Sequence, residues 1–125
     1  MADFRFPKKY RLRKAHEFQR VFEGRQRAGD SELLVFALRN GLPYSRLGLS
    51  VSRKHGSAVR RNRLKRLIRE AFRLSRHELP TGLDLIVIPR IGREHSLESI
   101  RRSLIRLTHR LDRRLPPCPQ GRHDD

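Results

Sequence analysis

Apolar residues recur at helical spacing in three stretches of this chain and at strand spacing in three others. Leu64, Leu67, Ile68, Ala71 and Phe72 fall at offsets 0, 3, 4, 7 and 8, which predicts a helix from about Ser57 to His77 with Ser57 as N-cap. Phe18, Val21 and Phe22 share one face of a shorter helix over 14–24, closed by Gly24. Leu97, Ile100, Leu104, Thr108, Leu111 and Leu115 make the buried stripe of a last helix, capped by Ser96, with Glu98 in its first turn. Glu32 to Arg39 (ELLVFALR) reads as an apolar strand broken by Asn40-Gly41 and Pro43. Arg46 to Arg53 (RLGLSVSR) alternates, with Leu47, Leu49 and Val51 on one face and Gly48, Ser50 and Ser52 on the other. Leu83 to Ile88 (LDLIVI) is nearly continuous in apolar character, as a central strand covered on both faces should be.

The predicted order is α-β-β-α-β-α, with room for a third strand before the long helix, somewhere in 25–45. The adjacent runs 32–39 and 46–53 are expected to form an antiparallel pair. The fold class is α+β: a small sandwich of one sheet with helices packed on it. A chain of 125 residues suits one domain, taken as 1–115, and the tail 116–125 (PPCPQGRHDD) is expected to be disordered.

Charge changes the picture. Thirty Lys and Arg against 13 Asp and Glu give a formal net charge of +17. The stretch Arg53–Arg76 holds ten of the cations and one acid, Glu70. On the long helix Asn62, Lys65, Arg66, Arg69 and Arg73 fall opposite the apolar side. A solvated basic face is the bland explanation, but such faces usually mix signs. A row this one-sided repels itself until a polyanion neutralises it, and nucleic acid is the obvious one. Arg60 and Arg61 fall in the first helical turn, where the helix dipole is already positive and a cation costs up to ~1 kcal/mol. That placement makes sense if phosphate binds there.

Other chemistry is sparse. Cys118 is the only cysteine, so no internal disulfide forms, and the six His lack metal-ligand spacing. No bound metal is expected. No paired carboxylates, P-loop or Gly-rich dinucleotide turn stands out, which argues against an active site built from this chain alone. No apolar run spans a bilayer and no signal-peptide core is present, so a cytoplasmic protein without membrane contact is expected. Among the aromatics, Phe4 and Phe6 lie in the basic N-terminal segment. Phe18 and Phe22 serve either as core or as a stacking platform for unpaired bases. The small face of Gly48, Ser50 and Ser52 favours the platform by leaving an open groove.

The run RLGLSVSRKHGSAVRRNRLKRLIREAFR resembles the signature of the bacterial ribonuclease P protein subunit: a strand at Gly48 to Ser52, the basic pair Arg53-Lys54, a turn at Gly56 to Val59, then Arg61-Asn62-Arg63 with Lys65, Arg66 and Arg69 on a helix. The likeness extends from about Phe6 to Leu115. It implies a ribosomal protein S5 domain 2-like fold with a left-handed β-α-β crossover. It implies as partners a catalytic RNA and precursor tRNA, whose 5′ leader the complex removes hydrolytically. The RNA and its Mg²⁺ would carry the chemistry, leaving no catalytic residue in the protein and no obligate protein partner. By the resemblance, Arg61, Asn62, Arg63, Lys65, Arg66 and Arg69 would contact the catalytic RNA or lie near the cleavage site, beside Arg60. Phe18, Phe22 and Phe36 would line a leader cleft, with Ser50 and Ser52 on its small face. Lys54, Lys9, Arg11 and Arg13 would add charge. Phe36 stands where the family pattern leads one to expect Tyr, which removes a hydroxyl. The competing readings are a structural rRNA-binding ribosomal protein, a stand-alone nuclease, and a DNA-binding protein with the basic helix in a major groove.

Overall fold

The computed structural model describes residues 7–117; Phe4, Phe6, Cys118 and the rest of the tail from 118 onward lie outside them. The elements in chain order are α1 (Ala15–Glu23), β1 (Arg27–Gly29), β2 (Leu33–Arg39), β3 (Arg46–Leu49), α2 (Ala58–Ser75), β4 (Leu83–Pro89) and α3 (Leu97–Arg114). Short 3-10 turns occupy Lys8–Tyr10, Arg53–His55 and Arg76–Glu78. The helix starts follow the sequence closely. Ser57 Oγ accepts the Arg60 N–H, and Ser96 Oγ accepts the Ser99 N–H. The extra strand expected within 25–45 is β1.

The sheet order is β1-β2-β4-β3. The predicted antiparallel pairing of 32–39 with 46–53 is therefore wrong. β4 lies between them, antiparallel to β2 and parallel to β3, with Val87 opposite both Val35 and Leu49. The physical reason is burial. A β2–β3 hairpin would leave β4, the most apolar strand, at an edge. Placing it in the middle covers both its faces and both its edges, and α2 serves as the crossover that parallel neighbours require. The β2–β3 connection is held out of hairpin geometry by Ser45, whose Oγ donates to Pro80 O and accepts the Leu83 N–H at the start of β4.

The strand pleat sorts the core into two clusters. Leu33, Val35, Ala37, Leu47, Leu83, Leu85 and Val87 face α2 and α3, meeting Ile68, Ala71, Phe72, Ile100, Leu104, Leu107 and Leu111. Ile86 faces the other way with Leu12 and Val21, and Phe18, Phe22, Phe36, Leu38 and Ile88 pack around them. So α1 covers one sheet face while α2 and α3 cover the other. Truncating a fully buried ring such as Phe72 would cost about 3–5 kcal/mol.

The alternation in 46–53 ends early. β3 stops at Leu49, and Ser52 leaves the strand to accept the Lys54 N–H on its Oγ. His55 fixes the turn that follows: its Nδ1 accepts the Ser52 N–H at 3.0 Å, and its Nε2 lies 2.7 Å from Pro89 O.

Candidate nucleic-acid interface

β3 is an edge strand, and three elements converge on it. The N-terminal segment runs alongside, with Arg11 bridged to Leu47 and the Leu12 N–H donating to Leu47 O at 2.9 Å. From one sheet face, α1 lays Phe18 over Gly48, so closely that a Cβ on Gly48 would lie 2.8 Å from Phe18 Cζ. From the other face α2 brings Lys65 and Arg69. Together Arg11, Arg13, Phe18, Leu47, Lys65 and Arg69 line a cavity of about 270 Å³. Among the described residues no Asp or Glu lines it.

The groove expected along Gly48, Ser50 and Ser52 is consequently not open at its first position. The Phe18 ring fills the space that Gly48 leaves, because a helix crossing the sheet can approach closely only where the strand lacks a side chain. Ser50 is half-buried and Ser52 is exposed in the capping turn.

Electrostatics mark the cleft as cationic. Burial, joined by the charge of Arg11, pushes the Arg69 guanidinium below its ordinary pKa. Two guanidinium groups this close raise the local positive potential, which favours an anion. Lys65 and Arg69 are half-buried on the cleft side, whereas Asn62, Arg63 and Arg66 are exposed. Arg73 is already paired with Glu70 at 2.6 Å. The row read from the sequence as one outward face is thus divided by the docking of the N-terminal segment.

A second group of cations gathers at the start of α2. Lys54 and Arg60 line a cavity of about 390 Å³ with the loop that precedes α3, and Arg60 and Arg63 share an adjoining one of about 290 Å³. Arg60 reaches the exposed Glu94 at 3.8 Å. Arg61 is half-buried, and its Nε is buried without a hydrogen-bond partner. Lys9 stands apart from the cleft cations, with its Nζ 5.1 Å from the rings of Tyr10 and Tyr44.

The aromatic residues also separate. Phe22 and Phe36 meet edge to face at 4.9 Å under α1, half-buried on the β2 side, and do not line the cleft that Phe18 floors. α1 therefore crosses from β3, where Phe18 sits, over Ile86 of β4 to Phe36 of β2.

Sequence reasoning missed the network that holds α1 in this position. Asp84 is fully buried and receives Arg46 Nε at 2.8 Å, Arg46 Nη2 at 2.7 Å and Asn40 Nδ2 at 2.9 Å. Arg46 also donates through Nη1 to Glu17, and Glu17 accepts the Arg13 and Lys14 N–H groups at the start of α1. Hydrogen bonding to Asp84 is the main cause that raises the Arg46 pKa. Burial acts to raise the Glu17 pKa, but the Lys14 and Arg13 N–H groups and Arg46 outweigh it and leave it low. An aspartate inside an otherwise apolar strand was the available signal, since a buried carboxylate demands a cation.

Among the described residues no group of three His, Cys, Asp or Glu is placed to hold a metal ion, and no helix is long and apolar enough to cross a membrane. A basic α+β domain with a cationic cleft over an aromatic floor, lined by no Asp or Glu among the described residues, has the character of a polyanion-binding protein. Comparison with known proteins narrows the class. Residues 6–112 match the family model described as Ribonuclease P. The chain is 41% identical over 123 residues to the ribonuclease P protein component of Edwardsiella ictaluri, covering 98% of each. It superposes on the RNase P protein from Thermotoga maritima with a TM-score of 0.73 at 37% identity, covering 80% of this chain and 96% of that one. The RNase P protein from Staphylococcus aureus gives a TM-score of 0.68 at 32% identity, covering 84% and 91%. The chain belongs to the ribonuclease P protein family, and it is a subunit of that ribonucleoprotein endoribonuclease.

Proposed function

We propose that this chain grips the catalytic RNA through the start of α2 and holds the unpaired 5′ leader of precursor tRNA in the cleft beside β3. The convergence of Arg11, Arg13, Lys65 and Arg69 around the aromatic ring of Phe18 is the observation that carries this reading. Lys54, Arg60, Arg61, Asn62, Arg63 and Arg66 then serve the catalytic RNA near the cleavage site. Phe18 offers a ring to a splayed base. Phe22 and Phe36 support α1 from below and touch leader at most by their edges.

Three physical effects follow. Cations that replace condensed counterions reduce the Mg²⁺ needed to bring two RNAs together. A cleft with an aromatic floor suits an extended single strand better than a duplex. Fixing both RNAs positions the scissile phosphate. The buried carboxylates do not fit a divalent cation: Asp84 is taken by Arg46 and Asn40, and Glu32 by Arg93 at 3.0 Å and by His95 and Ser99. On this reading Mg²⁺ and bond cleavage belong to the RNA, in the cytoplasm where tRNA precursors are made.

The test is cleavage of precursor tRNA by a ribonuclease P RNA at low Mg²⁺, with and without the chain. Stimulation that is lost when RNA is omitted is expected. No stimulation would favour a structural rRNA binder, and cleavage by the chain alone would make it a nuclease.

A further inference from the structure

A second row of cations lies on α3, away from the cleft. Arg102, Arg106, Arg110 and Arg113 follow one another at about one-turn spacing, and all four are exposed. The arginines of α3 divide by what they touch. Arg101 donates to Ser75 Oγ at 3.0 Å and meets Glu78 and Glu98, Arg106 pairs with Asp30, and Arg114 donates to Arg27 O at 2.6 Å. Those contacts fasten the helix to α2 and to β1 with the turn that follows it. Arg102, Arg110 and Arg113 make no hydrogen bond or ion pair among the described residues.

The two acids of α3 do not neutralise this row. Glu98 lies 3.8 Å from Arg101, and Asp112 is held by Arg39 at 2.6 Å. Like charges four residues apart destabilise a helix. The helix dipole compensates Arg113 and Arg114 in the last turn, but Arg102, Arg106 and Arg110 lie too far from that end. A face serving solubility alone would mix signs.

The position of α3 narrows the partner. The loop before it shares cavities with Arg60 and Arg63 at the start of α2, while His109 Nε2 lies 2.8 Å from Glu78 O, just past the end of α2. The two helices therefore run side by side in the same direction. Their exposed sides form one surface, from Arg63 and Arg66 on α2 to the row on α3. The cleft opens elsewhere: β3 is one edge strand of the sheet, and α3 is fastened to β1, the other. An RNA seated on the start of α2 meets α3 next, whereas a leader lying beside β3 does not.

We propose that Arg102, Arg110 and Arg113, with Arg106, bind the phosphate backbone of the catalytic RNA and extend its footprint from α2 across α3. The proposal rests on the reading that the start of α2 grips that RNA. The row holds phosphates without reading bases, so it adds affinity and salt dependence rather than sequence preference.

The experiment measures arginine modification by phenylglyoxal, read by mass spectrometry, in the free chain, in the chain bound to a ribonuclease P RNA, and after precursor tRNA is added. Arg102, Arg110 and Arg113 should lose reactivity with the catalytic RNA alone, together with Arg63 and Arg66, and change no further with precursor. In a combined Arg102→Gln, Arg110→Gln, Arg113→Gln variant the salt slope of catalytic-RNA binding should fall by about two to three, while Tm holds or rises because like charges are gone. Three α3 arginines that stay reactive while Arg63 and Arg66 are protected, or an unchanged salt slope, overturn the proposal. Protection that needs precursor tRNA overturns it too, by making the substrate the partner. If Arg63 and Arg66 stay reactive in the bound complex, the α2 reading falls, and the continuous footprint proposed here falls with it.

Discussion

Replacing Gly48 with Ala tests the link between packing and function directly. Gly48 is buried on the edge strand, beneath α1. An added Cβ would lie 2.8 Å and 3.0 Å from Phe18 Cζ and Cε2 and 3.1 Å from Leu12 Cβ. Leu12 cannot withdraw easily, because its N–H is bonded to Leu47 O. Phe18 must move, taking the cleft floor with it. Overpacking of this kind costs about 1–3 kcal/mol. For a domain of this size that lowers Tm by about 4–12 °C. Calorimetry of four proteins (wild type, each single variant and Gly48→Ala with Phe18→Ala) gives the coupling. With the ring gone the Gly48→Ala cost should shrink to what the Leu12 contact leaves, so the two changes should be non-additive by about 1 kcal/mol. Precursor tRNA affinity should fall in Gly48→Ala more than mature tRNA affinity. Strict additivity, or an unchanged Tm, would refute the packing of Phe18 against Gly48 and its place as cleft floor.

Arg69→Met keeps the apolar stem and removes a charge beside Arg11, so Tm should hold or rise while RNA affinity drops and its salt slope falls by about one; filter binding across a salt series measures it. Asp84→Asn strips Arg46 of its buried partner and should cost about 3–5 kcal/mol in denaturant unfolding; a loss under 1 kcal/mol would show the network to be dispensable. Phe22→Ala should destabilise the chain by about 3–5 kcal/mol at most, reduced by its partial exposure, with precursor and mature tRNA affected alike, in contrast to Phe18→Ala. Glu17 and Asp30 bear on pH. Burial acts to raise both, yet N–H donors and arginines outweigh it and leave them below their ordinary values of 4.5 and 3.8. A carboxylate held low in the fold stabilises it above its ordinary pKa and ceases to do so as pH falls through the folded value. Tm should therefore decline below about pH 4.5, and Asp30→Asn should flatten that decline.

Sequence alone determined the elements and the kind of partner. Helical and alternating periods are local properties of the backbone, so α1, α2, α3 and the strands 33–39 and 83–89 were legible within a residue or two. So were the Ser57 and Ser96 caps, since a cap is chosen by residues three positions away. The excess of cations is a sum over the chain and needed no fold. The resemblance in 46–73 led to the family that the comparisons establish.

Tertiary structure decided which strands are neighbours and which cations work together. Strand order depends on burying the two faces and two edges of β4 at once, a global condition that adjacency in sequence misjudged. The cleft unites Arg11 with Arg69 and Phe18 with Gly48, pairs set by how the N-terminal segment and α1 dock on β3. It also removed Phe22 and Phe36 from that cleft and brought Tyr10 beside Tyr44 and Arg76. Periodicity tells which side of a helix is apolar. It cannot tell which cations on the other side will share a space, because that depends on distances across the sheet which no local pattern encodes.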